Sequence, residues 1–455
     1  MNSKIKGNKR GAAADPDQNI KRAIWAYLIL LIFEGALRKW FLPGLSTPLL
    51  LVRDPIAFWV VYKVWNQGRL PKSLYISVLL WITFIGFITA LIFGHGSPLV
   101  ALYGARIMFI HFPFVFAMGV ILKRNDVVQM GKALLWISLP MVVLIGLQFY
   151  TPQTSWVNKG IGGEGSSGFS GAMGYFRPSA TFSFTNGTAL FFGLVCGFVI
   201  YFWLNPKAVN KLLLMAASAA LIMAIPLSIS RTYLFTIGVT VIFAAIGASR
   251  NPKYAGKMLM ASVILVFAVM LLSQVSFVAT AIEVLTGRFD NAAASEGGLE
   301  GTLGERYLGA FTGPFLHATE VPFFGYGLGL GTSVGSQLLT GNISYLISEG
   351  EWGRIIGELG LILGSGIIFI RMGFALKLFV AGYKRLVAGD LLPWMLLAFG
   401  LLIIPQGQWA QPTSLGFCTI IGGLIFASLN KDTTPIIPQN HEKMVRGSLV
   451  KPVVV

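Results

Sequence analysis

Charge is what this sequence has least of: Asp, Glu, Lys and Arg together supply 12% of its 455 residues, about half the share of an ordinary soluble domain. That deficit excludes a water-soluble globular fold at this length. Cysteine is nearly absent too. Cys196 and Cys418 both lie inside apolar runs, so each reads as a small buried hydrophobe rather than half of a disulfide or metal pair. The histidines are few and scattered. His317 has Glu320 three residues on, but His95 and His111 lie far off in sequence and no second ligand pair exists, so no metal is expected. No Ser/His/Asp pattern is legible.

Apolar residues fill the chain instead: 55% of it is hydrophobic, 13% is aromatic and the mean hydropathy is +0.71. This content excludes disorder, and the 53 glycines keep no period, which excludes a fibrous repeat. What remains is a polytopic, all-α membrane protein. A spanning helix needs roughly 20 mainly apolar residues. Twelve runs approach that length, centred on 23–37, 49–64, 74–93, 106–122, 133–150, 188–204, 212–229, 233–247, 259–278, 355–370, 391–405 and 415–429.

The net charge of +17 arises from 35 Lys and Arg against 18 Asp and Glu, and the placement of those cations matters more than their sum. With the N-terminus in the cytoplasm and the spans alternating, 25 of the 35, Arg371 among them, fall on the cytoplasmic side. The other ten are Arg38, Lys39, Arg53, Arg106, Lys159, Arg177, Arg231, Arg288, Arg306 and Arg354. This asymmetry predicts that both termini are cytoplasmic. Residues 1–22 then form a disordered basic tail, not a cleaved signal peptide. Residues 23–278 hold the first nine spans, 279–354 an outer loop region, 355–429 the last three spans and 430–455 a second tail. Eight of the ten outer cations are arginine, the residue suited to bidentate oxyanion binding.

Two outer segments are long, and connections of such length are commonly functional. The first, about 151–187, ends in GYFRPSATFSFTN (Gly174–Asn186), which sets Arg177 before a Ser/Thr/Asn string entering the sixth span. Arg231, in SISRT, lies on the same side between two apolar runs, where snorkelling is the competing explanation. The second, about 279–354, carries GER (Gly304–Arg306), PFFGYGLGLGT (Pro322–Thr332) and SEGEWGRIIGELG (Ser348–Gly360). The glycines of the middle motif lack the GK[ST] of a phosphate loop and predict a tight bend at the membrane face. In the last motif Ser348 and Glu351 fit a capping box. Glu351, Arg354 and Glu358 share one helix face, and Glu358 would enter the bilayer, where it needs a partner or a wet cavity. Glu34 and Arg38, four apart, predict a structural ion pair, with Arg106 a further cavity-lining candidate.

These motifs, in this order, resemble the O-antigen ligase and O-antigen polymerase superfamily of bacterial envelope glycosyltransferases. The resemblance runs from EGALRKW (Glu34–Trp40) through RPSATFSFTNG (Arg177–Gly187), SRT (Ser230–Thr232), GER and FGYGLG (Phe324–Gly329) to E-x-G at Glu358–Gly360. It implies an inner-membrane enzyme of the GT-C class that uses no metal, nucleotide or other cofactor. Glycan on undecaprenyl diphosphate would be transferred at the periplasmic face to the hydroxyl of an acceptor glycan. Carried over by motif, Arg177 and Arg231 would hold the diphosphate, with Arg306 and Arg354 as further candidates. Ligases of the superfamily usually have a His-Asn pair shortly before E-x-G. Here the stretch reads ISEGEW, so a carboxylate, Glu349 or Glu351, takes the place of the base and the likeness leans toward polymerases of O-antigen or exopolysaccharide.

Physical chemistry supports that assignment independently. Breaking a sugar–diphosphate bond puts negative charge on the leaving group, which arginines in a poorly solvated site stabilise, and the attacking hydroxyl needs a base within reach. The rival readings are a transporter or flippase of lipid-linked saccharides and a non-catalytic subunit of an export machine assembled with other proteins. Transporters tend to show two related halves, and no such repeat is visible. The topology has a direct test: a cysteine placed at Ser333 is expected to react with impermeant maleimide added to intact spheroplasts, and protection of that position until the cells are opened would invert the map.

Overall fold

The computed structural model describes residues 15–250, 256, 274–296, 309–341 and 344–430. In hydrocarbon a backbone must satisfy its own hydrogen bonds, which leaves an apolar single chain few choices besides helix. The principal helices are α1 (Gln18–Ala36), α2 (Asp54–Asn66), α3 (Leu74–Ile92), α4 (Pro98–Arg106), α5 (Phe112–Ile121), α6 (Arg124–Tyr150), α7 (Asn186–Leu204), α8 (Lys211–Leu227) and α9 (Arg231–Ser249). They continue with α10 (Ser276–Glu296), α11 (Gly309–Leu316), α12 (Ser333–Thr340), α13 (Glu351–Val387), α14 (Leu392–Gln406) and α15 (Pro412–Ser428). The strands are two short ones, β1 (Phe169–Ser170) and β2 (Phe176–Arg177), paired antiparallel.

Apart from that short ribbon, the described chain is a helical membrane protein. Among the described residues seven helical stretches are long and apolar enough to cross a membrane: Pro43–Asn66, Leu74–Ile92, Pro98–Ile121, Arg124–Tyr150, Asn186–Leu204, Arg231–Ser249 and Glu351–Val387. Helices α8, α14 and α15 are apolar but shorter, and α1 carries Lys21, Arg22 and Glu34. Helix thus stands at eleven of the twelve apolar runs, while most of the ninth, 259–278, lies outside the described residues. So do Arg306 with its GER motif, most of the first tail and nearly all of the second.

Helices α7 and α15 form the centre and are buried almost throughout. Glycines let their neighbours come close, as small residues do where helices pack within a membrane. Gly119 of α5 meets the ring of Phe426, Gly422 and Gly423 of α15 meet Val115 and Met118, and Gly197 of α7 meets the Met395 carbonyl of α14. Cys196 and Cys418 are both buried and unbridged, as their apolar settings predict.

The sharpest departure from the sequence reading is in α13. SEGEWGRIIGELG does not run straight into a tenth span. Glu351 and Arg371 are 20 residues apart yet 2.7 Å from each other, where a straight helix would separate them by about 30 Å. The helix folds back at Gly360, whose φ of 76° and ψ of 172° lie outside helical space. Its first part packs against its second: a Cβ on Gly364 would come within 3.0 Å of the Ile355 carbonyl oxygen. The carbonyls freed at the bend find partners in the glycine-rich segment, since the Tyr326 amide donates to Gly357 at 2.8 Å and the Gly327 amide to Glu358 at 3.0 Å. FGYGLG is indeed a tight bend, and it caps the helical hairpin.

A Cβ at Gly360 would strike the Phe323 carbonyl oxygen, whereas one at Gly68, which also has positive φ, meets nothing. Gly360→Ala is expected to lose the monodisperse detergent-solubilised species on size exclusion, or to unfold many degrees lower. Gly68→Ala should show only the backbone strain of about 1 kcal/mol. Equal behaviour of the two variants would mean that the close approach at Gly360 does not hold the hairpin.

Candidate functional site

The charged face that the sequence marked leading into E-x-G converges on one buried guanidinium, with Glu349 standing apart from it. Arg354 donates through Nε and Nη2 to the two oxygens of Glu351 at 3.1 and 2.8 Å, and through Nη1 to Glu358 at 2.6 Å. Glu358 Oε1 accepts from the Gly331 amide at 2.9 Å. Arg371, arriving from the far arm of the hairpin, donates to Glu351 at 2.7 Å and lies 4.5 Å from the centre of the Trp409 ring. All four ionic groups are buried. The shared face of Glu351, Arg354 and Glu358 is therefore real, and Glu358 has the partner that its apolar position demands.

Two details differ from expectation. The capping box is absent: Gly350 occupies the N-cap, Ser348 Oγ accepts from the Gly350 amide, and Glu351 is committed to arginines. Arg371, grouped by sequence with the cytoplasmic cations, is instead a member of this buried network. The apolar run containing it offered no sign of the fold-back that brings it to Glu351.

A second cluster forms where α1, α2 and α4 end or begin. Glu34 lies 3.6 Å from Arg38, as four-residue spacing suggests, but its closer partner is Arg53 at 2.7 Å. Arg106 donates to both oxygens of Asp54 at 2.9 and 2.7 Å. Asp54 also contacts His111 Nε2 at 3.0 Å, and His111 Nδ1 meets the Tyr27 hydroxyl at 3.1 Å. Arg38 reaches Ser183 at 2.9 Å and Arg53 donates to the Pro412 carbonyl at 2.7 Å, which ties the cluster to the start of α7 and α15. Each of the two helix segments involved contains a π turn, Leu37–Phe41 and Ile107–His111, a feature frequent at functional sites. Lys39, in the first of these turns, is buried and donates to Ser179 Oγ at 3.0 Å and the Ala180 carbonyl at 2.5 Å.

Arg177 sits on β2, half-buried, with its guanidinium 5.6 Å from the Phe169 ring centre. Arg231 is the first residue of α9, which Ser230 caps by accepting from the Tyr233 amide. The two segments meet where Ile229 packs against Gly171. Ala180 and Ile229, close in sequence to these arginines, have φ of 51° and 47°. Such left-handed conformations cost about 1–3 kcal/mol each in a residue with a Cβ, more in a β-branched one, and cluster at ligand-binding sites. Gln148 secures Ala180 by accepting from its amide at 2.7 Å.

A small polar cleft beside the buried Glu351 and Arg354 is lined by Ser344, Tyr345, Ser348, Glu349, Gln408 and Gln411. Glu349 is exposed, and its carbonyl accepts from Gln408 at 2.9 Å. Burial, and then the charge of Glu349, raise the Tyr345 phenol above its ordinary pKa. The motif around Arg177 connects to this cleft by a short chain: Asn186 donates to Gln411 at 3.0 Å, and Gln411 to Tyr345 at 2.8 Å. Sequence reasoning had no signal for Gln408, Gln411 or Tyr345, which are neither charged nor part of a motif. His317 and Glu320 are exposed and 3.3 Å apart, and among the described residues no three His, Cys, Asp or Glu side chains gather as metal ligands would.

No protein-family model, curated protein or solved structure matches this chain.

Breaking a buried ion pair on one side leaves an uncompensated charge, at a cost of about 3–5 kcal/mol. Arg354→Met strips Glu358 of the one cation paired with it among the described residues and is expected to cost that much in thermal unfolding of the detergent-solubilised protein. Arg371→Met should cost less, because Glu351 keeps both bonds to Arg354. The reverse order would place the keystone at Arg371.

Proposed function

We propose that this membrane protein is a metal-independent glycosyltransferase that transfers or polymerises glycan from an undecaprenyl-diphosphate-linked donor to a sugar hydroxyl. The cleft carries the reading: it combines an exposed carboxylate, several neutral hydrogen-bonding side chains and a buried guanidinium alongside, at the end of an apolar bundle. A bacterial inner membrane with the cleft on the periplasmic side, and a GT-C arrangement of helices, belong to the same proposal.

In this scheme the acceptor hydroxyl attacks the anomeric carbon and its proton passes to Glu349. The bond from that carbon to the diphosphate oxygen breaks, and its electron pair leaves with the lipid diphosphate. Arg177 and Arg231 bind the anion that forms, which is worth most where water is sparse. Glu351 does not suit the role of base, because both of its oxygens already accept from arginines; it lies buried beside the cleft. Arg354 likewise serves its two carboxylates first. Arg306 stays a candidate from the motif alone.

A carrier of lipid-linked saccharides is the second reading, and one observation favours it. Helix α13 is broken at Gly360 with its bend capped by another segment, and broken helices are common in transporters.

Purified protein incubated with a lipid-diphosphate oligosaccharide separates the two. Longer glycans and free lipid diphosphate are expected, and turnover should fall about a hundredfold or more in Arg177→Ala, Arg231→Ala and Glu349→Gln. Translocation across proteoliposomes without any change in glycan length would replace the transferase with a carrier. Full turnover in Glu349→Gln would move the base elsewhere.

A further inference from the structure

The Glu34–Arg53–Asp54–Arg106 cluster holds more cation than its carboxylates balance. Arg38, Arg53 and Arg106 face Glu34 and Asp54, an excess of one positive charge before His111 is considered. Its hydrogen bonding is also incomplete in one direction. Arg106 gives Nη1 to both Asp54 oxygens, while its buried Nε and Nη2 meet no hydrogen-bond partner among the described residues. The buried Arg53 Nη1 meets none either among the described residues.

Geometry makes the Arg106 case specific. The guanidinium lies 4.0 Å from the centre of the Tyr103 ring, which covers one of its faces. Nε and Nη2 form the side-on edge of the group, two parallel N–H donors that converge on a single acceptor. Leaving two buried donors unbonded costs about 1–3 kcal/mol each, which an unoccupied structural ion pair has no reason to bear.

We propose that the Arg106 edge binds one small monovalent anion of the halide class. The charge excess calls for a single negative charge. Burial selects a compact one: Arg38, Arg53, Tyr103, Arg106 and His111 are each no more than 8% exposed, which excludes a diphosphate head or a sugar acid from the same position. The anion accepts from Nε and Nη2 and neutralises the cluster that joins α1, α2, α4 and the entrance of α15. It stabilises the fold and takes no part in transfer, so its failure and that of the transferase reading are distinguishable.

Chloride titrated against gluconate at constant ionic strength tests this in detergent-solubilised protein. The unfolding temperature is expected to rise and saturate with chloride, and likewise with bromide. Arg106→Lys keeps a cation beside Asp54 but removes the side-on edge, so its apparent chloride affinity should drop about tenfold or more. Wild-type crystals soaked in bromide should show an anomalous peak beside Arg106, a readout that needs no variant. No halide dependence, an equal response in Arg106→Lys, or bromide absent from that edge would each overturn the proposal. Stabilisation by inorganic pyrophosphate but not chloride would overturn it as well and reassign the edge to a polyanion.

Discussion

A single guanidinium, that of Arg354, reconciles two carboxylates with an apolar interior, and the loop end of the bundle is arranged around it. Glu351 and Glu358 lie one helical turn to either side of it. Neither carboxylate is tolerable alone among apolar side chains. With Arg354 binding both, the first arm of the hairpin keeps one net negative charge, which Arg371 of the second arm cancels. Its remaining valences then fix its surroundings: Glu358 takes the Gly331 amide and so holds the glycine-rich segment, and Glu351 takes Arg371 and so holds the second arm. The bend at Gly360 follows from these attachments as much as from its own permissive backbone.

The sequence made part of this legible. The i, i+3, i+7 spacing of Glu351, Arg354 and Glu358 needs only the local geometry of a helix, and it survives in the structure. The glycine-rich bend was readable for the same reason, because positive φ at Gly325, Gly327 and Gly329 is a local property. What hydropathy does not record is direction. An apolar run that turns back at one glycine has the same composition as one that continues, so Arg371 was assigned by counting to the wrong set of charges. Had Gly360 been followed through as the end of a helix, the fold-back would have been the natural consequence of a buried Glu351 with room for a second cation.

The same limit separates Glu349 from Glu351. In sequence they are equivalent carboxylates two residues apart. In three dimensions one is exposed at the cleft and the other is saturated by arginines, because helix α13 begins between them. Both oxygens of Glu351 are engaged by arginines, whereas the Glu349 side chain is exposed beside the cleft. Placement relative to one helix start thus gives two neighbouring glutamates different surroundings, which composition could not.

The loop end is also where cations outnumber acids by sequence, and the structure shows how this imbalance is distributed. The E-x-G network is neutral, two arginines against two glutamates. The excess among the described residues resides in the Arg38–Arg53–Arg106 cluster and in Lys39. Buried or half-buried positive charge of this kind raises the free energy of the unliganded protein and lowers that of any state with an anion nearby. A fixed halide at Arg106 would satisfy the sealed portion of that excess permanently.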